Sequence, residues 1–259
     1  MAVVSKIWLF PIKSLDGVAV SSACVLPSGA LAGDREFALI DERERFINGK
    51  RHASIHRLRA RFDLAARTVD LGLKDTSATD TFHLDGDRAD LERWFGEYFQ
   101  QPARLVSNAE LGFPDDKRYT GPTFIAERTL AAVAEWYPEL DIEQIRQRFR
   151  TNIEIADVPP FWEDRLFGSG DRSVPFRVGE VTFEGVNPCL RCVVPTRDPF
   201  TGETDPHFQK TFNARRRESL PSWAARDRFD SYYRLAVNTR LAHHNSGGFI
   251  RLVDRIALQ

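Results

Sequence analysis

The sequence predicts an α+β protein with a β-rich body that closes as a barrel and a few helices. Three observations predict it. In the first third, short apolar runs bounded by turn residues recur about every ten residues, the spacing of a many-stranded β structure. The middle carries amphipathic segments with helix start and stop residues. The pattern then returns to strands, beginning with two runs separated by the two-residue turn Gly179-Glu180.

Val3–Phe10 reads as the first strand, broken by Pro11. Phe37-Ala38-Leu39-Ile40 is the next apolar run, after the turn residues Ala32-Gly33-Asp34. Arg45-Phe46-Ile47 followed by Asn48-Gly49 predicts a hairpin edge. Asp87 opens the first helix, with Leu91, Trp94, Phe95 and Tyr98 on one face, and Gln101-Pro102 ends it. The polar stretch Asn108–Lys117 contains Gly and Pro and is the predicted linker. It divides the chain into a β-rich domain over 1–115 and a barrel domain over 116–259. A second helix is predicted from Glu127 to Trp136, before Pro138. A third starts at Asp141, which pairs with Gln144 as a capping box. Phe176–Val178 and Val181–Phe183 then form a hairpin. The strand-like Cys192-Val193-Val194 precedes the turn Asp198–Gly202, and Tyr233–Val237 and Phe249–Val253 supply closing strands.

Composition narrows the function classes. A net charge of −1 gives no global field for nucleic acid or an anionic membrane, so any anion site must be local. With 19 Phe against 1 Met, the core is rigid and aromatic rather than adaptable. The first segment lacks an export signal, and no apolar run approaches the ~20 residues of a membrane helix, so the expectation is a cytoplasmic protein. Three cysteines, Cys24, Cys189 and Cys192, do not make a disulfide framework.

Asn187-Pro188-Cys189-Leu190-Arg191-Cys192 is the sharpest local feature. A guanidinium beside a thiol favours the thiolate, the form that binds metals or attacks electrophiles. The same residues are compatible with half a zinc site or with two packed cysteines. Zinc needs four ligands, and Cys24 is distant while His243-His244 are adjacent rather than spaced. Pro11-Ile12-Lys13-Ser14 places a cation and a hydroxyl at a strand end, where they hold a phosphate or make a polar turn; Arg35 follows a Gly turn. Arg148-Phe149-Arg150-Thr151-Asn152-Ile153 runs from a helix end into a strand. The helix dipole explains Arg146 and Arg148, and an extended segment points Arg150 and Asn152 the same way. Arg215-Arg216-Arg217 reads as a solvated helix face, with docking of an acidic redox partner as the alternative. His52, His56, His83 and His207 are scattered. No HExxH, GxSxG, GxGxxG or P-loop motif occurs.

Taken in order, PIKS, GDREFALID, RFRTNI, FWEDRLFG and NPCLRCVVPTRDPFTGE resemble the MOSC family with its accompanying N-terminal β-rich domain, over essentially the whole chain. The last segment is the most specific. Among well-known members the chain resembles the amidoxime-reducing component type of mitochondria and its bacterial relatives. The resemblance implies a molybdenum cofactor, Mo-molybdopterin, with Cys192 as the molybdenum ligand and Arg191 steadying it. Lys13, Ser14 and Arg35 would grip the phosphate end, and Arg150 and Asn152 would contact the pterin. Thr120 and Gly121 fall in a loop lining the cofactor, although Tyr119–Pro122 departs from the usual pattern, and Asn238 approaches from a C-terminal strand. The family's Arg-Pro-Asn reads Arg150-Thr151-Asn152 here. One protein thiolate beside the soft dithiolene of the pterin requires no second cysteine pair.

The implied activity is an oxidoreductase that removes oxygen from small N-hydroxylated substrates. Sulfur transfer through a Cys192 persulfide, or a cofactor carrier, are the alternatives. Glu163 and Asp164 either support the site or form a surface turn. The resemblance leaves no room after Gln259 for an iron–sulfur domain. A separate electron donor is therefore expected, either a cytochrome b5-like protein or a ferredoxin or flavoprotein reductase.

Overall fold

A computed structural model of the chain describes residues 1–116, 118–243 and 247–259. Lys117 of the predicted linker and His244 lie outside the described residues. The chain opens with β1 (Val3–Leu9), β2 (Val18–Val20), β3 (Ser22–Val25) and β4 (Phe37–Ile40). β5 (Leu58–Asp63), β6 (Thr68–Leu73) and β7 (Thr79–His83) follow, then α1 (Arg88–Phe99) and β8 (Arg104–Ser107). The next elements are β9 (Phe124–Ala126), α2 (Glu127–Ala134), α3 (Ile142–Phe149) and β10 (Ile153–Ala156). β11 (Val174–Val178), β12 (Val181–Leu190), α4 (Phe208–Glu218), β13 (Arg234–Leu241), β14 (Gly248–Arg251) and β15 (Ile256–Leu258) complete it. The α+β expectation is met.

The largest sheet has eight strands in the order β15-β11-β12-β13-β9-β10-β1-β2. It is antiparallel except where β9 runs parallel to β10. Among the described residues it does not close through regular ladders. Its ends approach through β1, whose C-terminal half pairs with β2 while its first residues meet the C-terminal segment. Val3 bridges Arg255, Val4 N–H donates to Asp254 O at 2.9 Å, and Val253 N–H donates to Val4 O at 2.8 Å. The residues before β15 thus reach back to β1. β14 pairs with β3, and the N-terminal region adds the β4–β8 pair and the β5–β6–β7 meander.

Three apolar clusters hold these layers. One lies under the eight-stranded sheet and includes Val4, Ile7, Phe124, Phe176 and Phe183. A second fills the N-terminal region between α1 and β4–β6, around Phe37, Leu71, Leu91 and Phe95. The third joins the helices to β9 and β13 through Ile145, Phe149, Phe208 and Phe212. Each fully buried Phe stabilises the fold by about 1.5–3 kcal/mol. The rings meet directly, Tyr137 stacking on Phe208 at 4.5 Å and Phe124 meeting Phe176 edge-on at 5.1 Å.

Local signals are met where the sequence carried them. Val178 pairs with Val181 across Gly179, whose φ of +56° suits the tight turn. Asp141 accepts from Gln144 N–H, and Gln144 returns the bond to Asp141 N–H, completing the capping box. α2 stops at Ala134, two residues short of Trp136, which instead packs edge-on against Phe212.

Several expectations are corrected. The predicted hairpin around Asn48-Gly49 is absent. The turn lies earlier, where Asp41 takes three hydrogen bonds from Arg43 and Arg45 and Ile40 bridges Phe46. Cys192-Val193-Val194 is no strand; β12 ends at Leu190 and a 3-10 turn starts at Val194 because Pro195 cannot donate to a ladder. Arg150 is not on an extended segment. It caps α3 in the left-handed region, with φ 51°. Glu163 and Asp164 form no surface turn but are 1% and 2% exposed. Arg216 departs from the solvated face read for Arg215–Arg217: it is 1% exposed and pairs with Asp164 at 2.6 Å.

Candidate functional site

Residues from both ends of the chain line one cavity of about 360 Å³. The volume lies in the range of small-molecule sites, about 300–1,000 Å³. Lys13, Ser14 and Arg35 border it from the loops after β1 and before β4. Thr120 and Gly121 border it from the loop before β9, Arg150 and Asn152 from the turn between α3 and β10. Arg191 and Cys192 come from the end of β12, and Asn238 from β13. The ten residues that the resemblance assigned to the cofactor therefore line one cavity, whereas Glu163, Asp164 and Arg215–Arg217 lie outside it. Cys24 stands apart in β3. Six cationic side chains (Lys13, Arg35, Lys50, Arg148, Arg150, Arg191) face three carboxylates (Asp34, Asp115, Asp116).

The cysteine segment is held from several sides. Arg191 N–H donates to Tyr233 O at 2.9 Å, and Thr196 N–H donates to Val193 O at 3.0 Å. Arg148, which the helix dipole alone explained in the sequence, is 5% exposed. Its Nη1 donates to Pro195 O at 2.9 Å and Arg197 O at 2.6 Å, so it clamps the turn after Cys192. Arg191 donates to Phe149 O at the end of α3 and lies over the Phe149 ring. Its other hydrogen bond goes to Cys189 Sγ, at 3.2 Å, rather than to Cys192. Burial works to lower the Arg191 pKa, but Cys189, Cys192 and Asp115 outweigh it and hold the guanidinium above its ordinary range.

At the basic end, Lys13 Nζ donates to Asp115 Oδ1 and to Phe113 O, both at 2.8 Å. Burial pulls the Lys13 pKa down against the pull of Asp115. Asp115 in turn is held below the carboxylate range because Lys13, Lys50 and Arg35 outweigh its partial desolvation. Arg35 pairs with Asp34, and Arg35 and Arg150 lie over the same ring, Phe10, at 4.8 and 4.3 Å. Burial and the Arg35 charge bring Arg150 down to about 10.

The remaining sequence-derived residues are tied into the walls. Ser14 Oγ accepts from Gly49 N–H at 3.2 Å. Asn152 Oδ1 accepts from Thr123 N–H and Oγ1–H, and its Nδ2 donates to Trp8 O, which locks β1 to β9. Thr120 Oγ1 donates to Ser28 O. Gly121 is required by packing: a Cβ there would lie 2.5 Å from Thr239 Oγ1. Asn238 Nδ2 reaches Asp116 Oδ2 at 3.4 Å.

Sequence reasoning missed Lys50, His56, Asp115, Asp116 and Asn187 as lining residues. Asn187 opens the cysteine motif and was findable; the others are placed only by tertiary packing. Asn187 Oδ1 and His56 Nε2 are buried without a hydrogen-bond partner. Burial, then Arg150 and Arg197, lowers His56 to about 4, so its imidazole is neutral. These orphaned groups, a thiol and a cationic end fit a heterocyclic ligand with an anionic tail. No group of three or more His, Cys, Asp or Glu able to hold a metal occurs among the described residues. No helix among them is long and apolar enough to cross a membrane.

Residues 1–102 match the MOSC N-terminal beta barrel domain, and residues 123–245 match the MOSC domain. A molybdenum cofactor sulfurase of Caenorhabditis briggsae is 27% identical over 225 residues, 78% of this chain but 30% of that protein. The human mitochondrial amidoxime-reducing component 1 is 27% identical over 235 residues, 77% of this chain and 67% of that protein. A bovine mitochondrial amidoxime reducing component 2 is 25% identical over 244 residues, covering 78% and 68%.

Proposed function

Because the chain belongs to the MOSC proteins, carrying both the N-terminal domain and the MOSC domain, we propose that it is a molybdenum-cofactor oxidoreductase acting on N-hydroxylated compounds. One observation carries the reading: Cys192 shares a single cavity with Lys13, Arg35 and Arg150. A soft thiolate suits molybdenum, and the cations suit the phosphate of its pterin. Cys192 would hold the metal. Lys13, Ser14 and Arg35 would hold the phosphate, with Arg150, Asn187 and Asn238 along the pterin. Thr120, Gly121 and Asn152 act as wall residues that fix the loops around it. The cofactor, when bound, supplies a two-electron redox centre.

The overall reaction takes an N-hydroxyl compound, two electrons and two protons to the amine or amidine and water. A separate redox protein supplies the electrons. Arg191, fixed between Phe149 O and Cys189 Sγ, lines the same cavity as Cys192 and would supply it with a positive charge that favours an oxygen carrying negative charge. Sulfur transfer is the second reading, favoured by the sulfurase relatives, of which the chain spans only 30%.

Metal analysis tests the proposal. Protein made in a host that synthesises the cofactor should carry stoichiometric molybdenum and reduce benzamidoxime with a viologen donor. Cys192→Ser should lose both, and Cys24→Ala neither. Metal-free protein bearing a labile sulfane sulfur on Cys192 would replace this reading with sulfur transfer.

A further inference from the structure

Lys13 and its partner Asp115 are unequal. The Lys13 side chain is 8% exposed and that of Asp115 is 61% exposed. Asp115 Oδ1 also lies 3.4 Å from Lys50 Nζ, so one carboxylate bridges two ammonium groups of the cavity lining.

The two partners of Lys13 are also held differently. Phe113 O is a fixed acceptor for Lys13 Nζ. Phe113 N–H donates to Arg35 O at 2.8 Å, and its ring meets Phe46 edge-on at 5.7 Å. Asp115 follows Pro114, and its backbone N–H and C=O make no hydrogen bond among the described residues. Its ion pairs with Lys13 and Lys50 are its only polar ties among them.

This asymmetry lets the carboxylate leave and forbids the ammonium to stay alone. An exposed carboxylate already touches water and recovers its hydration on leaving, so its pairs are weak from its side. The buried ammonium keeps its charge only while an anion faces it, since burial already pulls its pKa down. An entering dianion brings two negative charges to Lys13, Lys50 and Arg35 in place of one, with more acceptor oxygens. A monoanion brings no more charge than Asp115. It must also give up free translation, which the tethered carboxylate has already lost. We infer that Asp115 is an internal stand-in for the ligand's anion: it holds Lys13 and Lys50 before a ligand binds, gives way to a dianion such as phosphate, and refuses a monoanion. The inference rests on the basic end of the cavity being the anion seat of the proposed function, and it makes Asp115 the residue that sets the charge selectivity of that seat.

Calorimetric titration of the full chain with inorganic phosphate and with formate, at a mildly alkaline pH that keeps phosphate dianionic, tests the inference. The wild type should bind one equivalent of phosphate and no formate. Asp115→Asn should bind phosphate about tenfold more tightly, the value of one charged hydrogen bond, and should also take up formate. Asp115→Ala should behave the same way and keeps the test valid if the Asn variant fails to fold. Glu110→Gln removes an equal charge from an exposed position of the same loop, outside the cavity, and should change neither affinity. Phosphate that binds the wild type but binds the Asp115 variants no more tightly would overturn the inference and leave the anion seat standing. So would variants that take up formate no better than the wild type, or an equal gain in Glu110→Gln. Phosphate bound by neither the wild type nor the variants would overturn the anion seat and the inference with it.

Discussion

Glu163 and Asp164 are adjacent acids on a 3-10 turn, and both are buried against β9, β12 and β13. Asp164 has Arg216 as its partner. Glu163 accepts from Thr129 Oγ1 at 2.9 Å and Ala126 N–H at 3.2 Å, leaving Oε1 without a partner. Burial, then the Asp164 charge, pushes Glu163 up from the ordinary 4.5 to about 8. The folded state thus keeps a proton that the unfolded chain releases. Stability should fall as pH rises through that window. Glu163→Gln mimics the protonated acid and should flatten the fall, as seen in thermal melts compared across the same pH range. A wild type no more pH-sensitive than the variant would assign the proton elsewhere. Arg216→Ala leaves Asp164 buried and unpaired, which costs about 3–5 kcal/mol. Arg215→Ala, at an exposed position of the same helix, should stay within about 0.5 kcal/mol in urea denaturation. The sequence hid this pair because its members lie 52 residues apart and Arg216 is flanked by two ordinary surface arginines.

At the level of elements, what was legible was local. Turn and cap chemistry act over two to four residues, so the Gly179 hairpin and the Asp141 capping box could be read directly. Strand neighbours could not. β9 joins β10 in parallel across two intervening helices, a choice made by burial of both faces of these strands, and β14 crosses the chain to pair with β3. The Asn48-Gly49 turn signal was real as turn chemistry, since Asn48 Oδ1 accepts from Lys50 and Arg51 N–H, but Asn48, Gly49 and Lys50 line the cavity instead of joining strands. α3 links the two kinds of information. Its N-terminus is capped from its own sequence, and its C-terminus delivers Phe149 O to Arg191 and turns Arg150 into the cavity. Asp141→Ala should therefore cost about 1 kcal/mol in denaturant midpoint experiments. Binding of phosphate at the other end of the helix should be unchanged. Loss of that binding would mean the cap also sets the position of Arg150.

For the whole molecule, the site exists only when both ends of the chain are folded together, since β1 and β2 belong to the same sheet as β12 and β13. The motifs announced the cations one at a time. The family resemblance placed Lys13, Arg35, Arg150 and Arg191 around one cofactor; what no motif announced is that Asp34, Asp115 and Asp116 line the same hollow and partly answer them. Crowded like charges oppose folding of the ligand-free protein, and an anion that binds only the folded form relieves them. Phosphate at about a hundredfold its Kd should add about 2.7 kcal/mol, a rise of roughly 5–10 °C in melting temperature for a chain of this size. Lys13→Ala combined with Arg35→Ala should remove that rise. Chloride at matched ionic strength should not reproduce it, because screening acts on every exposed charge whereas the cavity selects a compact anion able to take several hydrogen bonds at once. If chloride stabilises the wild type as much as phosphate does, or the double variant responds like the wild type, then the basic end of the cavity is a diffuse field rather than an anion site.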